Sequence, residues 1–271
     1  GQRNANSMCF GQEDEPELAF EKARIIYNFG ADFLETWGRP VENARRLSES
    51  NAFDGKTKTE LVHLSPHVSL TGAKADRWVV INPGSEAMVA LSIASVIRDK
   101  KGGYDFLSGM LAAFAPEKVA EATGVPAKKM KELAQNFIEN SPGLALGGGP
   151  SSRNSNLTSL HVSINILNAV SGNLGKTVFF HDQPAPENTS HQNLVQLIED
   201  LKAGKVDLLI VDDSDPLHAL PTSTGIKEAL KNTFTVSLAS QKNDTSSEAD
   251  LQLPALTDYE SCRAFPSRLT V

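Results

Sequence analysis

Residues 24–37 read RIIYNFGADFLETW and residues 206–217 read VDLLIVDDSDPL. Each is an apolar, β-branched run that stops in a loop of small and acidic residues. In an open α/β sheet, loops at the carboxyl ends of parallel strands form the crevice where ligands bind, because helix N-termini there present N–H groups to anions. Two such edges in one chain imply a divided or elongated ligand.

Working outward, strand and helix signals alternate. Arg24–Asn28 reads as a strand and Pro40–Ser48 as a helix with proline in its first turn. Strand Glu60–Leu64 ends at Ser65, Pro66 and His67. Strand Trp78–Ile81 breaks at Asn82–Glu86 before an apolar helix over 87–98. Two helices follow, each with proline near its start (Pro116, Pro126); the first closes on Gly124. The Ser-Pro-Gly at 141–143 is read as a domain boundary. Beyond it come strand Leu144–Leu146, a glycine-rich turn over 147–156 and a helix over 157–170 with Leu160, Ile164, Leu167 and Val170 on one face. A helix over 192–201, strand Val206–Val211, a helix over 226–231, and strands at 234–238 and 251–253 complete the reading. Alternation of this length means α/β, as two Rossmann-like parallel-sheet domains with helices on both faces, residues 1–140 and 141–271, the second incomplete.

The 271 residues are 40% hydrophobic, enough for two ordinary cores. A formal charge of −7 and the lack of a basic block exclude a nucleic-acid surface. An anionic small ligand remains open, held by backbone N–H groups and a few cations. Cys9 and Cys262, near opposite ends, cannot build a four-cysteine zinc or iron–sulfur site, although a bridge between them is open. No apolar run approaches the roughly 20 residues that span a bilayer, so no direct span is expected. The polar opening and the stop just after a strand-like segment suggest a piece of a longer protein.

The succession GADFLETW, SPHVSLTGAKADRW, NPGSEAMVALSIASVI, APEKVAEATGVPAKKMKELAQNF, GGGPSSRN with ILNAVSGNLGK, DDSDPLHALP and SSEADLQLPALTDYES, from about Phe20 to Ser261, resembles the molybdopterin oxidoreductases of the dimethyl-sulfoxide-reductase type. Within them GADFLETW is most similar in wording to the molybdopterin-like iron–sulfur subunits of alternative complex III. The resemblance implies a cofactor-binding α/β region of a bacterial oxidoreductase subunit, periplasmic or associated with a membrane complex. It would sit among other subunits or domains of an electron-transfer complex. The implied cofactor is molybdopterin guanine dinucleotide with molybdenum, with iron–sulfur clusters only in parts absent from this chain.

Residue by residue, the resemblance sets Gly30, Ala31 and Asp32 at a phosphate-wrapping Gly-x-Asn-Pro turn. Ser65 and His67 stand in an Asp-Pro-Arg near the guanosine. Pro83, Gly84 and Glu86 fall in a Pro-Gly-Thr-Asp whose carboxylate holds the guanine edge. Gly148, Gly149 and Ser151 would form a turn facing a second dinucleotide, with Ser214, Asp215 and Pro216 in its Gly-Asn-Pro turn. Thr245 and Asp250 match a Thr-Ala-x-x-Ala-Asp segment. Glu35 is expected to satisfy N–H groups of a helix starting there. Neither a catalytic residue nor a metal ligand is assigned.

Three departures matter. Asp32 and Asp215 replace amides that can donate to phosphate with acceptor-only carboxylates, and His67 replaces a bidentate arginine. Asp212, Asp213 and Asp215 could instead hold a hard cation or cap the following helix. A cofactor-free scaffold keeping the family fold therefore stands beside the cofactor-binding reading, as does a simple binder of nucleotide or phosphate.

Overall fold

The computed structural model describes residues 1–12, 15–51, 58–149, 157–180, 191–257 and 260. The chain forms two compact units, Gly1–Ala185 and Pro186–Val271. The division expected after residue 140 therefore falls inside the first unit. The reason is pairing: the strand after Ser-Pro-Gly joins the strand of the opening motif rather than starting a new sheet.

In the first unit, strands β1 (Glu17–Leu18), β2 (Ile25–Phe29), β3 (Glu60–Leu64), β4 (Arg77–Val79), β5 (Gly143–Gly147) and β6 (Val178–Phe179) are described. A four-stranded parallel sheet runs β4-β3-β2-β5, and β1 pairs with β6 antiparallel. Every residue of β2 is buried, as expected of a central parallel strand covered on both faces. Ile25, Tyr27 and Phe29 face a core shared with helices Glu86–Lys101, Ala127–Glu139 and Leu157–Ser171. Ile26 faces the opposite core with Phe20, Phe33 and Leu47. The edge of β5 is finished by asparagines: Asn168 accepts from the Ala145 N–H and donates to its carbonyl, and Asn173 accepts from the Gly143 N–H.

In the second unit β7 (Leu208–Val211), β8 (Phe234–Ser237) and β9 (Leu251–Gln252) form a parallel sheet in that order. Its core is Ile198, Leu201, Ile226, Ala229 and Leu230, from helices His191–Lys202 and Ile226–Leu230, with Leu209 packed against it. The four-stranded and three-stranded sheets are thus parallel and α/β, as the alternation of signals predicts.

Candidate functional site

In the order β4-β3-β2-β5 the chain leaves β2 to one side for β3 and β4, then returns to the other side for β5. The carboxyl ends of β2 and β5 are therefore the switch point where an open α/β sheet offers a crevice. Phe29 pairs with Gly147 there, so the turns at Gly30 and at Gly148–Gly149 lie side by side. Gly30 and Gly148 have φ of 75° and 90°, a left-handed region that favours glycine. A Cβ on Gly149 would stand 2.4 Å from the Gly30 carbonyl oxygen, and one on Gly148 would stand 2.8 Å from the His161 ring. Gly148 and Gly149, expected in the second domain, lie on the same edge as Gly30. Ser151 lies outside the described residues.

Asn28 shapes the first turn. Its Oδ1 accepts from the Ala31 N–H at 2.8 Å, and its Nδ2 donates to the Ala31 carbonyl at 2.7 Å. Because the amide is oriented by that pair, Nδ2 also faces His63 Nδ1 at 3.1 Å as a donor. His63 is then neutral with its proton on Nε2, directed to the His67 carbonyl at 3.3 Å. Burial lowers its pKa in keeping with that form. His63 is a satisfied core imidazole, not a ligand.

Asp32 is buried and turned to the short helix Leu70–Lys74, where it accepts from the Thr71 hydroxyl at 2.6 Å and the Thr71 N–H at 3.2 Å. The Thr71 oxygen in turn accepts from the Leu34 N–H at 3.1 Å. Burial pushes the Asp32 carboxyl up, but the hydrogen bonds from Thr71 outweigh it and hold the group below its usual range. Glu35 begins no helix: residues 33–38 are turns and the next helix is Pro40–Ser50. The helix-capping role expected of Glu35 is thereby corrected. Its exposed carboxyl is raised by a hydrogen bond to Asp32 and by the Asp32 charge.

The second unit repeats this clasp. Asp215 accepts from the Thr245 hydroxyl at 2.6 Å and the Thr245 N–H at 3.0 Å, and Thr245 accepts from the Leu217 N–H at 3.1 Å. The Asp244 N–H adds a bond at 3.2 Å. The Thr245 hydroxyl foremost holds the Asp215 carboxyl below its usual range. Asp250 accepts from the Thr235 N–H at 2.8 Å and pins β9 to β8, as Asp76 does with the Leu61 N–H at 2.9 Å for β4 and β3. Thr71 and Asp76 were missed in the sequence, although the repeat Thr-x-x-x-Ala-Asp at 71–76 and 245–250 was there to find. Pro216 opens the short helix Pro216–Ala219, and Asp213 has φ of 44°.

A clasp hydroxyl that both gives and accepts is costly to lose when buried. Thr71→Val should destabilise the first unit by about 2–4 kcal/mol, since it takes the hydroxyl bond from a buried carboxylate, which keeps only the residue-71 N–H of that pair, and orphans the Leu34 N–H. Thr245→Val, beside a partly exposed carboxylate, should cost only about 1 kcal/mol. Urea unfolding of both variants checks this; equal costs would contradict the difference in burial.

Ser65 and His67 follow β3: His67 is exposed, its N–H reaching Ser65 Oγ at 3.4 Å, and the Ser65 carbonyl accepts from Trp78 Nε1 at 3.0 Å. Gly84 has φ of 78° in the turn from Asn82, and Ser85 Oγ closes that turn on the Asn82 carbonyl at 2.6 Å. Glu86 is buried at the start of its helix with Oε1 lacking a partner among the described residues. Burial raises its carboxyl against the pull of the Glu86 and Gly84 N–H groups. Cys9 is half-buried, and burial raises its thiol, which argues against a metal thiolate. Cys262 lies outside the described residues. No group of three His, Cys, Asp or Glu could hold a metal ion among the described residues.

A pterin dinucleotide asks for donors at its phosphates and a partner for its guanine. The phosphate turns do not fit. Asp32 and Glu35 flank one, while the other opens on a hollow of about 320 Å³ lined by Asp213, Ser214, Asp215, Lys242 and Asn243, among others. A phosphate charge ~6 Å from one carboxylate at an effective dielectric of ~20 is opposed by about 3 kcal/mol. The orphaned Glu86 oxygen, in contrast, suits a base edge.

No family model matches the chain. It is 26% identical over 269 residues to the menaquinone reductase, molybdopterin-binding-like subunit, of Nitratidesulfovibrio vulgaris, covering 92% of this chain and 39% of that protein. It is 29% identical over 86 residues to the arsenate respiratory reductase molybdopterin-containing subunit ArrA of a Shewanella species, covering 28% of this chain and 8% of that one. Acetylene hydratase from Pelobacter acetylenicus shares the fold with a TM-score of 0.53 and 19% identity, over 66% of this chain and 25% of its own. The chain thus spans well under half the length of the relatives it matches. Along nearly all its length the chain is thus similar in sequence to a molybdopterin-binding-like subunit, and over two thirds of it the chain shares a fold with acetylene hydratase.

Proposed function

We propose that this chain is the α/β core of a molybdopterin-oxidoreductase-type subunit that serves as a scaffold in a bacterial electron-transfer complex, without holding a pterin dinucleotide at its phosphate turns. The observation that carries this reading is the paired clasp. Asp32 and Asp215 stand where the family places an amide, and each uses its carboxylate to close its own turn on Thr71 or Thr245. An internal anion fixes each turn, which a cofactor phosphate would otherwise share. Electrons would pass through groups carried elsewhere in the assembly, and a periplasmic or membrane-adjacent location goes with this role.

A second reading is favoured by Glu86, whose buried and unpartnered Oε1 suits a guanine edge, and by the glycines gathered at the switch point. There the chain would bind molybdopterin guanine dinucleotide with molybdenum, the metal–pterin centre supplying the redox chemistry and the protein its position. Metal and pterin analysis of the native protein separates the two. The scaffold reading expects molybdenum and pterin far below one per chain, and a stoichiometric content would overturn it. GDP at millimolar concentration should leave the melting temperature unchanged; a saturable rise would favour the second reading.

A further inference from the structure

The two clasps align the units residue for residue. Counted back from the clasp aspartate, Ile25 and Tyr27 stand seven and five positions before Asp32, as Leu208 and Ile210 do before Asp215. Counted forward from the strand-pinning aspartate, Val79 follows Asp76 by three positions, as Leu253 follows Asp250. The equivalents differ sharply in surroundings. Ile25 and Tyr27 are 0% exposed, and they and Val79 pack into the core that includes Val89, Ala90, Ile93, Ala94 and Ile97 of helix Glu86–Lys101. Leu208, Ile210 and Leu253 are 53%, 58% and 51% exposed. Phe234, paired beside Leu208, is 51% exposed.

This face of β7-β8-β9 is therefore a built sheet surface with apolar side chains in water, opposite the face that carries Leu209 and its core. Scattered exposed apolar residues are ordinary, but a contiguous set on one sheet face marks an interaction surface. The repeat says what fits it. In the first unit the same positions lie under a helix rich in Val, Ile and Ala that follows β4 through a short turn. Length supplies the source, since most of the matched menaquinone reductase subunit lies outside the region shared with this chain.

We propose that the exposed face of the second sheet is the docking surface for an apolar helix equivalent to Glu86–Lys101, contributed by the same subunit from polypeptide outside these 271 residues. It packs over Leu208, Ile210, Phe234 and Leu253 and completes the second unit as a sheet covered on both faces. The test is Ile210→Cys in a background of Cys9→Ala and Cys262→Ala, with maleimide labelling compared in the 271-residue chain and in the native full-length polypeptide. The shorter chain should label at the rate of an exposed thiol, and the longer one about 100-fold more slowly, as for a site that reacts only through local opening. Equal rates would overturn the proposal. So would a shorter chain that is already protected and sediments as a dimer, because a second copy would then be the occupant.

Discussion

Gly149→Ala is expected to be the most damaging single-methyl change in the first unit, lowering its stability by about 3 kcal/mol or more. The added Cβ would lie 2.4 Å from the Gly30 carbonyl oxygen, a distance at which backbone must move. Neither partner can yield cheaply. Gly30 is held by the Asn28–Ala31 turn, and Gly149 lies two residues past β5, whose last residue, Gly147, is paired with Phe29. Relief would part the two turns at the switch point and disturb the carboxyl end of β2. A loss of ~3 kcal/mol corresponds to a fall of roughly 6–12 °C in melting temperature for a domain of this size. Gly175→Ala is the control: its φ is 72° but an added Cβ meets nothing within 4 Å, so it carries only the backbone penalty of about 1 kcal/mol. If Gly149→Ala melted no lower than Gly175→Ala, the close approach of the turns would be refuted.

That contact also marks where local reading of the sequence stops. β2 is legible because a strand buried on both faces must be continuously apolar, and the one polar residue, Asn28, is spent on its own turn. The helices with proline in the first turn and glycine at the end are legible for the same local reason. Ser-Pro-Gly at 141–143 has the same turn chemistry whether the chain leaves a domain or returns to its sheet. Only the pairing of Gly143–Gly147 with Ile25–Phe29 decides, and that contact spans more than a hundred residues. Glu35 shows the opposite failure. It carries the charge of a helix start, yet Phe33 to Gly38 are turns, because the Asp32 carbonyl accepts from the N–H groups of Glu35, Thr36 and Trp37.

The clasps show what the aspartates do in place of amides. Judged alone, Asp32 beside a phosphate turn is repulsive. Its partner Thr71 lies 39 residues away and Thr245 lies 30 from Asp215, so no window of local sequence shows the carboxylates being satisfied. The duplicated Thr-x-x-x-Ala-Asp was the available signal, and it identifies the two units as copies of one plan. Two turns closed internally in the same way support the scaffold reading more strongly than either would alone, since one substitution can be incidental and a matched pair with matched geometry is a structural solution.

His161 gives the clearest expected pH dependence. It lies in helix Leu157–Ser171, is 8% exposed, and has its pKa lowered to about 4, chiefly by burial. In the unfolded chain its imidazole takes up a proton near pH 6.5. Between that pH and about 4 the unfolded state binds a proton that the folded state refuses, so protonation pulls toward unfolding and stability falls as pH falls. The limiting slope is about 1.4 kcal/mol per pH unit, and the loss over the window is on the order of 3 kcal/mol. His63, also lowered by burial, acts in the same direction. Asp32 and Asp215, held below their usual range by the clasps, lose their contribution only at lower pH, as they protonate in the folded state. Urea unfolding of the wild type from pH 7 to 4 should therefore show a steady loss that His161→Gln removes in large part. The variant's residual slope then combines the loss from His63, which Asn28 holds neutral, with the opposing gain from Glu86 and Glu35, whose raised carboxyls take up protons first in the folded state. A wild-type slope retained in His161→Gln would mean that His161 accepts its proton in the folded state, and that the ring packed beside Gly148 is open to water.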